Sequence, residues 1–312
     1  MKKYYIHMYI VIAICLVAFV IGSFFDFEIS DALTRVGGPN DKFGLSISVI
    51  GTVPGYGVVA FIGGGFLTLG LKREFSNIQN KNYNLFLTIL MFVLAVVCYG
   101  LAVYFTGREF FGVNGFQYPD IKVYYGYFIA APVDLLLMFL GFVMTKRTTN
   151  KDLWIYLIAI AVAITVALVG CTIIKGILHR PRLRALGSFE GLDYRNWWQR
   201  FPDYKNYIEL GADKDDFKSF PSGHAGSCGV FMMFSLFLPV IHEKYRKFVV
   251  PMFYIGLAWL LLVAFARIYV GAHFMSDVSF GALLTVISFF ILKVIVDNNK
   301  YLSGASREEV AE

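Results

Sequence analysis

"SFPSGHAGSCGVFMMFSLFLPVI", residues 219–241, joins two kinds of chain. Charges run up to Lys218 just before it, and the run from Cys228 to Ile241 carries none. A helix crosses the hydrocarbon core of a bilayer with about 20 apolar residues, so the run reads as a membrane span. Pro221, Ser222, Gly223 and His224 stand at its mouth. Polar groups at such a position need a reason, because they are costly inside the bilayer and usually mark function there.

The rest of the chain reads the same way. Of its 312 residues 57% are hydrophobic and only 16% are charged, too apolar for an ordinary soluble domain. The apolar residues come in eight blocks, roughly 8–25, 54–71, 85–106, 123–145, 153–177, 222–241, 248–268 and 274–296. The expected fold is therefore all-α: one polytopic membrane domain over residues 1–312, with eight transmembrane helices and no soluble domain attached. The first block follows "MKK", as a signal peptide would, but "SFFDFEIS" follows it in place of a small-residue cleavage site. It reads as a retained helix, with a signal anchor as the other option.

Lys and Arg in short loops give the orientation. Lys2 and Lys3 precede block one, and Lys72, Arg73 and Lys81 lie between blocks two and three. Lys146, Arg147 and Lys151 lie between four and five, Lys244, Arg246 and Lys247 between six and seven, and Lys300 and Arg307 after eight. With eight alternating spans all of these fall on one side, which should be cytoplasmic. The other side then holds 26–53, 107–122, 178–221 and 268–273. Much of the net charge of +6 is this topological signal, so it does not argue for a nucleic-acid partner. Cys15, Cys98, Cys171 and Cys228 all lie within apolar blocks. That predicts no structural disulfide, and no spacing resembles a Cys/His metal framework.

Several segments admit two readings. Residues 26–53 are mildly amphipathic, and either lie along the outer interface or form a plain connecting loop. In the long polar loop 182–218, Trp197 and Trp198 suit the headgroup zone or a contact with substrate. Asp134, in the same block as Pro132, either bonds a neighbouring helix or serves function.

Three stretches bring the chemistry. "KGILHRPR" spans Lys175 to Arg182, "PSGH" spans Pro221 to His224, and "RIYVGAHFMSD" spans Arg267 to Asp277. The alternating topology opens all three to one face. Phosphoryl transfer spreads negative charge over three oxygens, and Lys175, Arg182 and Arg267 can neutralise it, the guanidinium forks matching oxygens in pairs. The Ser222 hydroxyl and the Gly223 N–H add donors at a helix N-terminus, which favours anions. One histidine can attack phosphorus while the other protonates the leaving oxygen. His273 and Asp277 are four apart and would share a helix face. A carboxylate behind an imidazole fixes its tautomer, which makes His273 the nucleophile and His224 the general acid. Gly271 suits a tight loop just before His273. His7, His179 and His242 read as surface or capping residues, with His179 the best further claimant because it lies inside the first stretch. Arg180 either faces phosphate or marks the interface.

These residues resemble the superfamily of type 2 phosphatidic acid phosphatases and vanadium haloperoxidases. Its pattern is Lys-x6-Arg-Pro, Pro-Ser-Gly-His, and Ser-Arg-x5-His-x3-Asp. Lys175 and Arg182 meet the first spacing, with Leu183 in place of the proline. Residues 221–224 meet the second. Arg267, His273 and Asp277 meet the third, with Ala266 in place of the serine. The resemblance covers about 175–296. It implies a helical bundle with a six-helix phosphatase core (the motif-bearing part about 153–296), leaving about 84–145 as an extra helix pair. It also implies a site that needs no metal or other cofactor, a phosphohistidine intermediate and sensitivity to vanadate.

The function expected is a membrane phosphatase acting on a lipid phosphate or diphosphate at the extracytoplasmic face of the cell (cytoplasmic or inner) membrane. Its partners would be that substrate and membrane lipids. Undecaprenyl diphosphate leads, with phosphatidic acid and phosphatidylglycerol phosphate close behind. The alternatives are a lipid A or sugar-phosphate phosphatase of the same superfamily, or a non-catalytic lipid transporter or scaffold on this fold.

Overall fold

A hydrated backbone is not available in a bilayer, so each spanning segment must satisfy its own amide groups, and in a single chain without closed barrels that means helices. The computed structural model describes residues 4–72, 81–111, 124–148, 150 and 152–298, and among these there is no strand. Lys2, Lys3, Arg73, Lys151, Lys300 and Arg307 of the orientation argument lie outside the described residues.

The helices are α1 (Tyr5–Val36), α2 (Lys42–Lys72), α3 (Lys81–Phe111), α4 (Tyr124–Thr145), α5 (Leu153–Leu178), α6 (Tyr204–Glu209), α7 (Gly223–Phe234), α8 (Leu238–Ile241), α9 (Val249–Tyr269) and α10 (Met275–Asn298). A single tight turn, Ser235–Phe237, joins α7 to α8, so the two form one span. Among the described residues eight helices are long and apolar enough to cross a membrane, and the chain is an all-α polytopic bundle. Phe24, Val96, Phe128 and Leu136 point outward from it, exposed as side chains facing lipid would be.

The first two spans are much longer than their apolar blocks. Residues 26–53 are neither an interfacial segment nor a loop: most of them extend α1 and α2, with only 37–41 between the helices. Two of the polar residues that broke the apolar pattern are turned inward. After a kink at Phe25, Asp26 and Ser30 sit one turn apart on the buried side of α1. An acid is tolerated there because a guanidinium meets it, as described below.

Packing sets where the helix ends meet. α10 packs against α1, α5 and α7; α7 also packs against α9 and α2; α2 in turn carries the α3–α4 pair. From His224 to Val230 every residue of α7 is buried. Small residues allow close contact where there is no hydrophobic gain between helices: a Cβ on Gly141 of α4 would lie 2.0 Å from the Phe61 carbonyl oxygen of α2. Asp134 is buried in the α3–α4 contact, facing Thr106 of α3. The four cysteines are free and buried within α1, α3, α5 and α7. The connection between α5 and α7 has its own small core of Ala185, Leu192, Phe201 and Phe217, so it is a folded cap on one end of the bundle.

Candidate active site

All three sequence stretches end at that capped end. α9 finishes at Tyr269, and the chain turns back at once into α10. The turn is closed by the Arg267 carbonyl, which accepts the N–H of Ala272 (3.0 Å) and of His273 (3.1 Å). Gly271 sits at φ +65°, a conformation that L side chains rarely adopt, so the glycine expected to make a tight loop does so. His273 is thereby tied by backbone to Arg267.

Asp277 lies in the first turn of α10 and reaches back to cap it. Its Oδ2 accepts the Phe274 N–H (2.8 Å), the carboxylate half of a capping box. The same oxygen accepts the Ser219 hydroxyl and lies 3.5 Å from His273 Nδ1. The pairing was expected from four-residue spacing on a helix. The contact is there, but for a different reason: His273 precedes the helix, and the turn swings its ring back over the helix start.

Arg180 was expected to face phosphate or mark an interface, and it does neither. It is fully buried and spends its donors on structure. Nη1 donates to Asp277 Oδ1 (2.7 Å) and Ser276 Oγ (2.9 Å), Nη2 to Asp26 Oδ2 (2.9 Å) and Tyr194 OH (3.2 Å), and Nε to the Arg195 carbonyl (2.9 Å). Its guanidinium also stands over the Phe274 ring, 4.2 Å from the centroid. One cation thus joins the α5 end, the cap, α1 and the first turn of α10. Asp26 was missed in the sequence because it ends an apolar block, where an acid reads as the beginning of a loop.

The Pro-Ser-Gly-His turn is clamped to the same place. Ser222 donates its N–H to the Asp277 carbonyl (2.9 Å), and its hydroxyl accepts the Ala225 N–H (3.4 Å), capping α7. A Cβ on Gly281 of α10 would come within 2.1 Å of the Ser222 carbonyl oxygen, so only glycine lets α10 approach. A Cβ on Gly223 would meet nothing within 4 Å, so packing does not demand that glycine.

His224 follows on the first turn of α7. Its ring centroid lies 6.3 Å from that of His273. Lys175, Arg182, Arg267 and His224 are the charges that bear on His273. Lys175 also donates to the Lys218 carbonyl, and Arg182 donates its N–H to the Asp216 carbonyl (2.8 Å), which ties both to the strand of chain leading into the turn. Burial first, and then these cations, push the His273 imidazole well below the ordinary histidine value of 6.5. The ring is therefore a neutral base at neutral pH.

Two sequence readings end as structural roles. His179 ends α5 in the left-handed region (φ 50°) and stacks on Tyr204 at 3.7 Å. Trp197 donates to Ser23 of α1 (2.8 Å) and stacks on Phe220, fastening the cap to α1, while Trp198 is exposed. One group was not anticipated at all. Glu109, from the last turn of α3, lies with Oε2 3.2 Å from His224 Nε2. In sequence it is one of a charged pair, Arg108-Glu109, at the end of a block, and nothing local distinguishes it from a solvated helix end.

Among the described residues no three His, Cys, Asp or Glu side chains gather as metal ligands. No curated protein and no solved structure matches the chain. Residues 152–301 match the sequence model of the PAP2 superfamily. The part of the chain that supplies Lys175, Arg182, Ser222, Gly223, His224, Arg267, His273 and Asp277 belongs to the PAP2 superfamily.

Proposed function

We propose that the protein is a membrane phosphatase that hydrolyses a lipid phosphate or diphosphate through a phosphohistidine. The observation that carries this reading is the pair of buried imidazoles, 6.3 Å apart, with three cations converging on one of them. His273 Nδ1 faces Asp277, which leaves Nε2 to attack phosphorus. As that bond forms, the bond from phosphorus to the leaving oxygen breaks, which is the lipid's own oxygen in a monophosphate and the bridging oxygen in a diphosphate, and His224 gives its proton to that oxygen. Asp277 supports the charge that develops on the His273 ring. Lys175, Arg182 and Arg267, with the Ser222 hydroxyl and the Gly223 N–H, hold the phosphoryl oxygens. In the second half His224 takes a proton from water, which displaces His273 and releases phosphate.

The site faces away from the cytoplasm in this reading. Lys72, Lys81, Lys146, Arg147, Lys244, Arg246 and Lys247 all fall at helix ends opposite to the site, as expected for the cytoplasmic side. Lipid headgroups of the outer leaflet would then reach the basic end of the bundle. Undecaprenyl diphosphate is the first substrate to test, then phosphatidic acid and phosphatidylglycerol phosphate.

The test is phosphate release by the purified protein in detergent with EDTA, across those three lipids and glucose 6-phosphate, with His273→Ala alongside. The expected result is strong preference for one lipid, loss in the variant, persistence in EDTA and inhibition by orthovanadate. Loss in EDTA overturns the metal-free scheme. Lipid movement that survives His273→Ala, with no phosphate release, supports a transporter instead.

A further inference from the structure

The mechanism above leaves Glu109 without a task. We propose that Glu109 is the positioning residue of the proton donor, the counterpart for His224 of what Asp277 is for His273. This rests on the phosphatase reading and adds to it a residue from outside the family-matched stretch.

Geometry supports it from three directions. The Glu109 carboxylate lies 3.2 Å from His224 Nε2, and the side chains are only 12% and 7% exposed. A carboxylate this enclosed is costly without a partner. The charges bearing on it are His224 first, then Arg267 and Arg108, so it is tied to the site and not to solvent. The α3 end that carries it is fixed. A Cβ on Gly126 of α4 would fall 2.0 Å from the Gly107 carbonyl oxygen, two residues before Glu109, and Phe105 stacks on Tyr56 of α2 at 5.3 Å.

The consequence follows from imidazole chemistry. A carboxylate this close to Nε2 favours the tautomer with its proton on that nitrogen, and the remaining nitrogen, Nδ1, is the one left for the leaving oxygen. Proton transfer to that oxygen matters most when the leaving group is a poor one. An alkyl oxygen needs the proton; a nitrophenolate leaves nearly unaided. The α3–α4 pair is thus part of the catalytic apparatus and not only lipid-facing bulk.

The experiment compares phosphatidic acid with p-nitrophenyl phosphate in wild type, Glu109→Gln, Glu109→Asp, His224→Ala, the Glu109→Gln/His224→Ala double variant and His273→Ala. Glu109→Gln should lower kcat on phosphatidic acid by about 10- to 100-fold, a share of the ~10²–10⁴ that a general acid contributes. The fall on p-nitrophenyl phosphate should be several-fold smaller, and Glu109→Asp should restore part of the loss. The double variant should fall no further than His224→Ala, because the two act as one unit. Equal losses on both substrates, or additive losses in the double variant, overturn the positioning role. Full activity of Glu109→Gln with none in His273→Ala also overturns it, and leaves the phosphatase reading standing. Absence of release by wild type from these two substrates and from undecaprenyl diphosphate and phosphatidylglycerol phosphate overturns the phosphatase reading itself, and release that survives in His273→Ala overturns its assignment of the nucleophile.

Discussion

The molecule holds two carboxylate–imidazole pairs at one end of the bundle, and they are built differently. Asp277 and His273 lie on one short turn, so backbone bonds from the Arg267 carbonyl and the helix cap fix both at once. Glu109 and His224 come from helices that meet only because α2 carries α3 against the rest. The first pair is also braced from behind: Asp277 is held by Arg180, which is held in turn by Asp26. The second has the packing of α3 behind it and no comparable chain of ion pairs among the described contacts. The surroundings of His273 are thus set mostly within residues 152–301, with Asp26 of α1 behind them, whereas those of His224 depend on α3, which lies wholly outside that stretch.

The largest effect should come from removing the proposed nucleophile. His273→Ala should lower phosphate release by about ten-thousand-fold or more, as loss of a covalent nucleophile does. Single-turnover assays with a radiolabelled phosphate would show no phosphoprotein in the variant. A phosphoprotein that persisted there would place the nucleophile in the other pair.

Next in size is the brace. Arg180→Gln leaves the buried carboxylates of Asp26 and Asp277 without their shared cation, and breaking a buried pair in this way costs about 3–5 kcal/mol. Thermal unfolding in detergent should register it as a large fall in midpoint. Glu109→Gln should cost far less stability than Arg180→Gln, while the kcat loss predicted above remains. Equal destabilisation by the two would erase the contrast between a braced pair and an unbraced one.

A smaller effect concerns pH. Burial first, and then Lys175, Arg182, Arg267 and His224, hold the His273 ring neutral. The unfolded ring takes up a proton as pH falls through about 6.5, and the folded ring does so only at lower pH. The unfolded state therefore binds more protons in that window, and stability falls as pH drops below 6.5. Unfolding midpoints measured at pH 7.5, 6.5 and 5.5 should show this decline, reduced in His273→Gln. An unchanged slope in the variant would mean the ring is not held neutral.

The smallest effect is expected at His179, inside the first motif but turned to Tyr204. Asn tolerates the left-handed conformation that His179 adopts, so His179→Asn should keep kcat within about twofold and change stability by less than about 1 kcal/mol. A loss of tenfold or more would bring this residue into the site.

What was legible in the sequence follows from what is local. The eight spans could be read because a backbone in hydrocarbon must bond within its own segment, so length and apolarity decide the helix without reference to neighbours. The motif residues could be read because each stretch carries its own spacing. Their shared end of the bundle followed from alternation alone. What the tertiary structure decided are the pairings across helices. Whether Arg180 meets phosphate or Asp26, whether residues 26–53 lie on the surface or extend two helices, and which acid stands behind His224 all depend on the depth and rotation of one helix against another. Those are set by close packing at residues such as Gly107, Gly126 and Gly281, and a buried charge is stable only where that packing delivers its partner.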